Sequence, residues 1–163
     1  AKDELERELP VLKKAYLTYS EVAGKSVEYM FYDLFKNYTE LTAEDLSSSC
    51  FINDGKGHFK KMSLPNELQL APVMCFAPAG KSSTWFGAGN FYGVTPYEGR
   101  YDALQPTMFS FDKRSSTFGL QSILPDFNGE VRDAKWLRYA DGSSVLVIAR
   151  NNGPLAFLKL KSQ

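Results

Sequence analysis

The stretch Ala88-Gly-Asn-Phe-Tyr-Gly-Val-Thr-Pro-Tyr-Glu-Gly-Arg-Tyr-Asp-Ala103 joins two groups of short apolar segments that alternate like β-strands. It holds three glycines, one proline and four aromatic rings. Glycine permits positive φ and close backbone contacts, while aromatic side chains offer a large area for burial and hydroxyls that need partners. We therefore expect a folded loop packed on a sheet, called the aromatic loop below.

Segments with a period of two lie on both sides of the aromatic loop, separated by glycine, asparagine, aspartate and proline every eight to twelve residues or so. Before it, Cys50–Ile52 and His58–Met62 form a predicted hairpin in which Asp54-Gly55 supplies the positive φ of a tight turn. The other predicted strands are Ala71–Ala77, Ser83–Gly87, Met108–Phe111, Thr117–Gln121, Val131–Leu137, Ser144–Ala149 and Leu155–Leu160. The pattern predicts a mainly β fold.

The β region repeats itself with a period of about sixty residues, and the aromatic loop is inserted in the middle of the first copy. Three features recur at this spacing: Phe59 and Phe118, Leu64-Pro65 and Leu124-Pro125, and Asn90 and Asn152. Self-similarity of this length is typical of propeller blades or another repeat array.

These strands amount to about two four-stranded antiparallel, propeller-like blades, whereas closed propellers use about four to eight blades. We therefore expect an incomplete ring with unpaired sheet edges, which need partners. The candidate partners are the remaining propeller blades, another chain or further copies in a homo-oligomer. The alternative is a self-contained sandwich in which the two groups of strands face each other.

The N-terminal segment has a helical period, so we expect a helical cap or insertion over residues 1–46 and the β-repeat region over 47–163. The interruption at Pro10 predicts a short helix before Leu9 and a second helix from Pro10 to Val22. Ser26 is the predicted N-cap of a third helix. Its apolar side comprises Val27, Met30, Phe31, Leu34 and Phe35.

Composition excludes several classes of function. Nineteen basic and nineteen acidic residues cancel, so no broad positive field is available to bind nucleic acid. No apolar stretch approaches the roughly 20 residues of a membrane span, and the first residues lack the apolar core of an export signal, so a secreted protein would already have lost its signal. Cys50 and Cys75 lie in apolar runs and are expected as buried free thiols. Together with one histidine they are too few for a structural zinc site.

Four segments together resemble the C-terminal part of VCBS/FG-GAP repeat proteins of Bacteroidetes, relatives of the cartilage acidic protein with associated ASPIC/UnbV regions. They are Asn53–Phe59, Gly89–Ala103, Gly129–Asp133 and Val147–Asn152. The resemblance runs through most of the chain, including the helical segment. It implies a secreted, periplasmic or cell-surface β-propeller that serves in adhesion or binding.

The family places an Asp-x-Asp-x-Asp-Gly calcium loop between the first two strands of a blade, because calcium requires six to eight hard oxygen ligands. In this chain the two corresponding loops are Ala77–Ser83 and Tyr139–Ser143, which together hold one carboxylate. We therefore expect that the calcium site is lost and that the chain has no metal site and no cofactor.

The candidate ligand-binding residues all lie in the aromatic loop: Asn90, Tyr92, Tyr97, Arg100, Tyr101 and Asp102. A second set is expected to form salt bridges and caps between neighbouring blades: Arg132, Asp133, Arg150 and Asn152. Catalysis would use Glu98 and Asp102 as a glycosidase acid and nucleophile. A run of charged and aromatic residues like this one more often stabilises a loop through ion pairs and hydrogen bonds to the backbone. No other catalytic motif accompanies it.

We therefore expect a binding or adhesion module without catalytic activity, which recognises a protein or a glycan through its loops. One alternative is a carbohydrate-active enzyme that uses Glu98 and Asp102. The other is a purely structural segment of a larger assembly, in which Tyr92, Arg100 and Tyr101 would be buried against other blades.

Overall fold

The structure is a computed structural model that describes residues 2–32, 36, 38–79 and 83–159. The chain divides into two compact units, Ala1–Glu44 and Asp45–Gln163. The first unit holds short helices and the second holds all the strands of the described residues, which makes the protein mainly β.

Four short helices lie in the described part of the N-terminal unit: α1 (Lys2–Glu8), α2 (Leu12–Ala15), α3 (Tyr19–Val22) and α4 (Val27–Phe31). The N-cap predicted at Ser26 is confirmed, since its Oγ accepts a hydrogen bond from the Tyr29 backbone N–H at 3.3 Å. Leu34 and Phe35, which were predicted to continue this helix, lie outside the described residues.

A single helix from Pro10 to Val22 was the prediction, and it is wrong. The backbone of Tyr16 is extended, with φ −135° and ψ 111°, so α2 ends there. The Glu21 carboxylate accepts hydrogen bonds from the backbone N–H groups of Leu17 and Thr18, both at 2.8 Å. These bonds satisfy backbone amides just before α3 begins. The apolar residues keep their helical spacing across this break, so their pattern does not reveal it.

The described residues form nine strands in antiparallel sheets of two, four and three strands: β1 (Ser49–Asn53), β2 (Phe59–Ser63), β3 (Val73–Pro78), β4 (Thr84–Gly89), β5 (Thr107–Asp112), β6 (Thr117–Ile123), β7 (Val131–Arg138), β8 (Ser144–Arg150) and β9 (Ala156–Leu158). The sheet order is β1-β2, β3-β4-β5-β6 and β7-β8-β9, and no sheet closes on itself within the described ranges. One sheet therefore has the predicted four strands, while the described part of the C-terminal sheet has three.

Most predicted strand boundaries are shifted by one or two residues. Among the strand starts, that of β3 moves furthest, from Ala71 to Val73, because Asn66–Gln69 forms a 3-10 helix that buries Leu68 and the chain bends at Leu70 and Ala71 before Pro72. Proline has no N–H to donate to a sheet, so the strand starts after it. The last strand was predicted as Leu155–Leu160; it begins one residue later, and Leu160 lies outside the described residues.

The four-stranded and three-stranded sheets pack face to face, and we call this contact the filled interface. One face of the four-stranded sheet contributes Cys75, Ala77, Phe86, Ala88 and Met108, and the three-stranded sheet contributes Val131, Ala134, Leu146 and Ile148. All of these side chains are buried. Alternate residues of each strand thus meet across two sheets, as the pleat requires.

The opposite face of the four-stranded sheet meets the β1–β2 hairpin in a contact that we call the half-filled interface. Leu64, Leu68, Leu104 and Phe109 are buried there, with Cys50 and Phe118 packed against them. A cavity of about 390 Å³ remains between the hairpin and the sheet, bordered by Phe76 and Trp85. Both residues are exposed, to 45% and 39%, so this face is incompletely covered.

The sixty-residue repeat is present in the hydrogen bonding. The register shifts after Val73 in β3 and again after Val131 in β7. The Asn90 N–H, just after β4, donates to the Pro72 carbonyl, just before β3, at 2.9 Å. In the same way the Asn151 N–H, just after β8, donates to the Glu130 carbonyl, just before β7, at 2.8 Å. Asn151, rather than the predicted Asn152, therefore corresponds to Asn90.

Candidate functional site

Asn90 holds both ends of the aromatic loop. It follows β4 with a φ of 82° and its side chain is fully buried. Its Oδ1 accepts from the Leu104 N–H at 3.0 Å, and its Nδ2 donates to the Leu104 carbonyl at 2.9 Å and the Gly129 carbonyl at 3.0 Å. A short buried amide with every group paired fixes the entry and the exit of the loop together.

Two further contacts narrow the loop at its base. Phe91 and Tyr101 exchange backbone hydrogen bonds of 2.8 and 3.0 Å as an isolated antiparallel bridge. Just before them, a Cβ on Gly89 would lie 1.9 Å from the Pro72 carbonyl oxygen. Only glycine allows that close approach, so the sequence at this point is set by backbone packing.

Glu130 anchors the first half of the loop from the C-terminal sheet. Its side chain is 4% exposed; Oε1 accepts from the Tyr92 N–H at 3.0 Å and pairs with the Arg132 guanidinium, and Oε2 accepts from Asn151 at 2.7 Å. The Tyr92 amide, the Asn151 amide and the Arg132 charge lower the pKa of the Glu130 carboxyl. The carboxylate thus links the loop to β7.

The tip of the loop is exposed to water. Tyr97 is 67% and Tyr101 is 52% exposed, and Pro96–Glu98 forms one 3-10 turn that ends at Gly99 with a φ of 80°. The Arg100 guanidinium lies 4.7 Å from the centre of the Tyr92 ring and 3.6 Å from the Asp102 carboxylate. The tip therefore presents rings, a cation and carboxylates on a base that is held by buried hydrogen bonds.

The structure separates the six candidate ligand-binding residues into two groups. Tyr97, Arg100, Tyr101 and Asp102 are exposed and close in sequence at the tip. Tyr92 is half-buried, and its ring packs against the Arg100 guanidinium. Asn90 is buried and serves as an anchor, so it is placed beneath the surface rather than on it.

The two carboxylates considered for catalysis are both exposed. Asp102 faces Arg100, and Glu98 lies in the 3-10 turn. Glycosidases place one carboxyl group in nonpolar surroundings so that it can act as an acid at neutral pH. The surroundings of Glu98 and Asp102 are open to solvent and do not provide that environment.

The four residues expected between blades have different surroundings. Arg132 joins the two sheets, because it pairs with Glu130 and its guanidinium carbon lies 5.6 Å from the centre of the Phe91 ring. Arg150 bonds within the C-terminal region, to the carbonyls of Asn128 and Pro154. Asp133 pairs with Lys135 on the surface at 3.3 Å.

Asn152, the fourth of these residues, is an exposed turn residue with a φ of 52°. Its neighbour Asn151 makes a side-chain contact instead, to the Glu130 carboxylate.

Sequence reasoning missed Asn128 and Glu130, which complete the anchoring of the loop. Asn128 accepts from Asn90 at 3.2 Å through its side-chain oxygen. A signal was present for Glu130, since a carboxylate directly before a predicted strand lies close to the core and needs hydrogen-bond partners where it is buried. The contact from Asn128 spans 38 residues, so no local pattern indicates it.

The turn Tyr139–Ser143 does not fit the calcium site that the sequence resemblance implies. Its one carboxylate, Asp141, accepts a hydrogen bond from the Ser143 N–H at 2.8 Å, which forms a local turn. Calcium needs several such oxygens pointing to one centre. The other loop, Ala77–Ser83, contains Gly80, Lys81 and Ser82, which lie outside the described residues.

No protein-family model, no curated protein and no solved structure matches this chain. None of the helices described in the structure is long and apolar enough to span a membrane. Within the described ranges, no three His, Cys, Asp or Glu residues group as metal ligands. Cys50 and Cys75 are free, and burial raises the pKa of the Cys75 thiol to about 11.

Proposed function

We propose that this protein is a non-catalytic binding module of the β-propeller type, which recognises a glycan or a protein surface through the tip of the aromatic loop. The recognition residues are Tyr97, Arg100, Tyr101 and Asp102, with Tyr92 beneath them. Its location outside the cytoplasm, in the periplasm or at the cell surface, rests on the sequence resemblance to the VCBS/FG-GAP proteins.

One observation carries the proposal: an exposed aromatic tip stands on a base that is buried and fully hydrogen-bonded. Asn90 and Glu130 fix the base, while Tyr97 and Tyr101 remain open to solvent. A loop that is fixed before binding loses little conformational entropy when it binds. Tyrosine rings with nearby polar groups are common in recognition surfaces.

The propeller-type architecture is supported by the repeated register shift and by the stacking of sheets through apolar faces. A purely structural segment would need other blades to bury Tyr92, Arg100 and Tyr101; in this chain Arg100 and Tyr101 are exposed and so accessible to a ligand. An enzyme is less well supported because both carboxylates are open to solvent.

A glycan microarray probed with fluorescently labelled protein tests the proposal. We expect wild-type protein to bind a restricted class of glycans and the Tyr97→Ala variant to lose about 10-fold or more in affinity, since truncation of an aromatic residue at the centre of a binding surface costs about 2 kcal/mol or more. Tyr139→Ala is the matched control, because Tyr139 is an exposed tyrosine outside the loop.

Two outcomes would contradict the proposal. Release of sugar products from a bound glycan, detected by mass spectrometry, would show an enzyme. Equal binding by the wild type and by a Tyr97→Ala, Tyr101→Ala double variant would remove the loop as the recognition surface. If no glycan binds, the same variants are compared on immobilised cell-surface protein, where equal retention of wild type and double variant again contradicts the proposal.

A further inference from the structure

The three-stranded sheet and the four-stranded sheet have equivalent strands, which can be matched pair by pair. After the register shift, Cys75 pairs with Ala88 and Asp133 pairs with Ala149. Two residues further along these strands, Ala77 of β3 pairs with Phe86 of β4, and Lys135 of β7 pairs with Val147 of β8. Phe86 and Val147 in turn pair with Met108 of β5 and Phe157 of β9. Met108 and Phe157 are therefore equivalent.

The hairpin is equivalent to the outer half of the four-stranded sheet. The recurring phenylalanines, Phe59 and Phe118, pair with Asn53 and Phe111. Three residues back along each strand are Cys50 of β1 and Met108 of β5. The Leu-Pro pair and a 3-10 helix follow both hairpins. Cys50 therefore occupies the same position as Met108 and Phe157.

The hairpin and the C-terminal sheet are complementary parts of one sheet. The hairpin has the two outer strands, and no strand of the described residues pairs with the other edge of β1. The C-terminal sheet has the two inner strands, β7 and β8, and then β9, which pairs through three residues and leaves Phe157 57% exposed. A sheet ordered β7-β8-β1-β2, with the hairpin from a second copy, would reproduce the order of β3-β4-β5-β6.

The side chains of this composite sheet fit the half-filled interface. In the filled interface, a large residue (Phe86) on the second strand belongs to the same cluster as a small residue (Ala134) on β7. In the composite sheet, Val147 takes the place of Phe86 on the second strand. Phe76, which borders the cavity, takes the place of Ala134. The large and small partners are exchanged, so the combined volume is similar, as close packing requires.

We propose that a second copy of this chain completes the half-filled interface by strand exchange. β8 of one copy pairs with β1 of the next in place of β9, and the face that carries Val147 and Ala149 covers Phe76 and Trp85 of that next copy. The contact is head to tail, so it links copies into a ring or a chain. The inference rests on the propeller-type repeat in the proposed function but makes no use of the aromatic loop.

The strand register gives a direct test, because the equivalence places Val147 of one copy opposite Cys50 of the next. Opposed residues of an antiparallel pair have Cα atoms about 4.5–5.5 Å apart, which is within the span of a disulfide. We expect the Val147→Cys variant, under mild oxidation, to form intermolecular disulfides between the introduced thiol and Cys50, identified by peptide mass spectrometry.

The matched controls are Val147→Cys combined with Cys50→Ser, and Leu137→Cys. Leu137 is 53% exposed on the same face of the neighbouring strand β7, but the proposed register places it away from β1. The double variant should lose the intermolecular disulfide formed by Val147→Cys, and Leu137→Cys should not cross-link to Cys50. Equal cross-linking of Leu137→Cys and Val147→Cys would reflect random collision and overturn the register.

Sedimentation velocity of the unmodified protein over a dilution series provides the second measurement. We expect concentration-dependent assembly, and we expect Trp85→Glu to raise the dissociation constant at least about 30-fold, as for a central aromatic interface residue. A wild-type protein that stays monomeric at every concentration overturns the inference. If such a monomer still binds glycans through Tyr97, the proposed function stands and only the assembly is overturned. If the protein assembles but binds no ligand, the assembly stands and the proposed function is overturned.

Discussion

The two faces of strand β4 differ in how completely they are covered. Phe86 points into the filled interface and is fully buried, whereas its neighbour Trp85 points to the half-filled interface and is 39% exposed. Successive strand residues face opposite sides of a sheet, and large apolar residues on both sides are typical of a strand that is covered on both. The sequence of β4 is therefore suited to two complete interfaces, of which one is complete within the described strands.

The largest effect is expected at the filled interface. Phe86→Ala should lower the free energy of unfolding by about 3–5 kcal/mol, because it removes a fully buried ring and leaves a cavity between two sheets. Urea denaturation followed by circular dichroism measures the change. Phe111→Ala is the matched control, since Phe111 is a half-buried ring at the half-filled interface. A loss for Phe86→Ala no greater than that control would show that the two interfaces are equally packed.

Asn90→Ala is expected to have the next largest effect, about 2–3 kcal/mol, since a fully buried side chain with several hydrogen bonds is removed. The substitution leaves the Leu104 N–H and the carbonyls of Leu104 and Gly129 without their partner, and each such loss costs about 1 kcal/mol or more. Alanine is also strained at a φ of 82°.

Asn90→Gly separates the two causes in the same unfolding measurement. It loses the same hydrogen bonds without the backbone strain. If Asn90→Gly were as stable as the wild type, the buried amide would contribute nothing to the anchoring of the loop.

The Glu130 anchor predicts a dependence of stability on pH. Its pKa is lowered in the folded protein, so its contribution is complete above the ordinary glutamate pKa of about 4.3. It is lost as the pH falls further, through the folded value, because the carboxyl must then be protonated. We expect the midpoint of urea unfolding to fall between pH 6 and about pH 3 less steeply in Glu130→Gln than in the wild type.

Other carboxylates set the background of this experiment. The pKa values of Asp54, Asp112 and Asp141 are also lowered, chiefly by hydrogen bonds from neighbouring backbone or serine groups. They are present in both proteins, so the difference between the two pH profiles isolates Glu130. Identical profiles would show that Glu130 does not link the loop to β7.

The sequence predicted the strand order well, because alternation and turns are local signals. The four strands from β3 to β6 are consecutive, and short connections between apolar runs indicate the β3-β4 and β5-β6 hairpins, whereas the long aromatic loop joins β4 to β5. It failed where a local interaction interrupted a continuous pattern, as at Glu21, whose contacts divide the helix expected from Pro10 to Val22. Apolar period alone cannot show that break.

The position of the aromatic loop follows from the sequence, but the way it is held does not. Aromatic composition indicated a folded loop packed on a sheet, and it did not indicate that Tyr97 and Tyr101 are exposed at the tip. The anchors Asn128 and Glu130 lie nearly forty residues from the groups they hold. A contact of that range depends on how the two sheets pack, which no pattern within one strand determines.

The smallest effect is expected at Trp85, and it tests the incomplete interface most directly. In dilute solution, Trp85→Ala should lower the free energy of unfolding by about 2 kcal/mol or less, because Trp85 is 39% exposed and borders the cavity of about 390 Å³, so that less apolar surface returns to water than at a fully buried ring. The same variant measured at concentrations where copies assemble should lose more, since binding of the native state adds to stability by mass action. A loss that is large at every concentration would mean that the hairpin alone already covers this face.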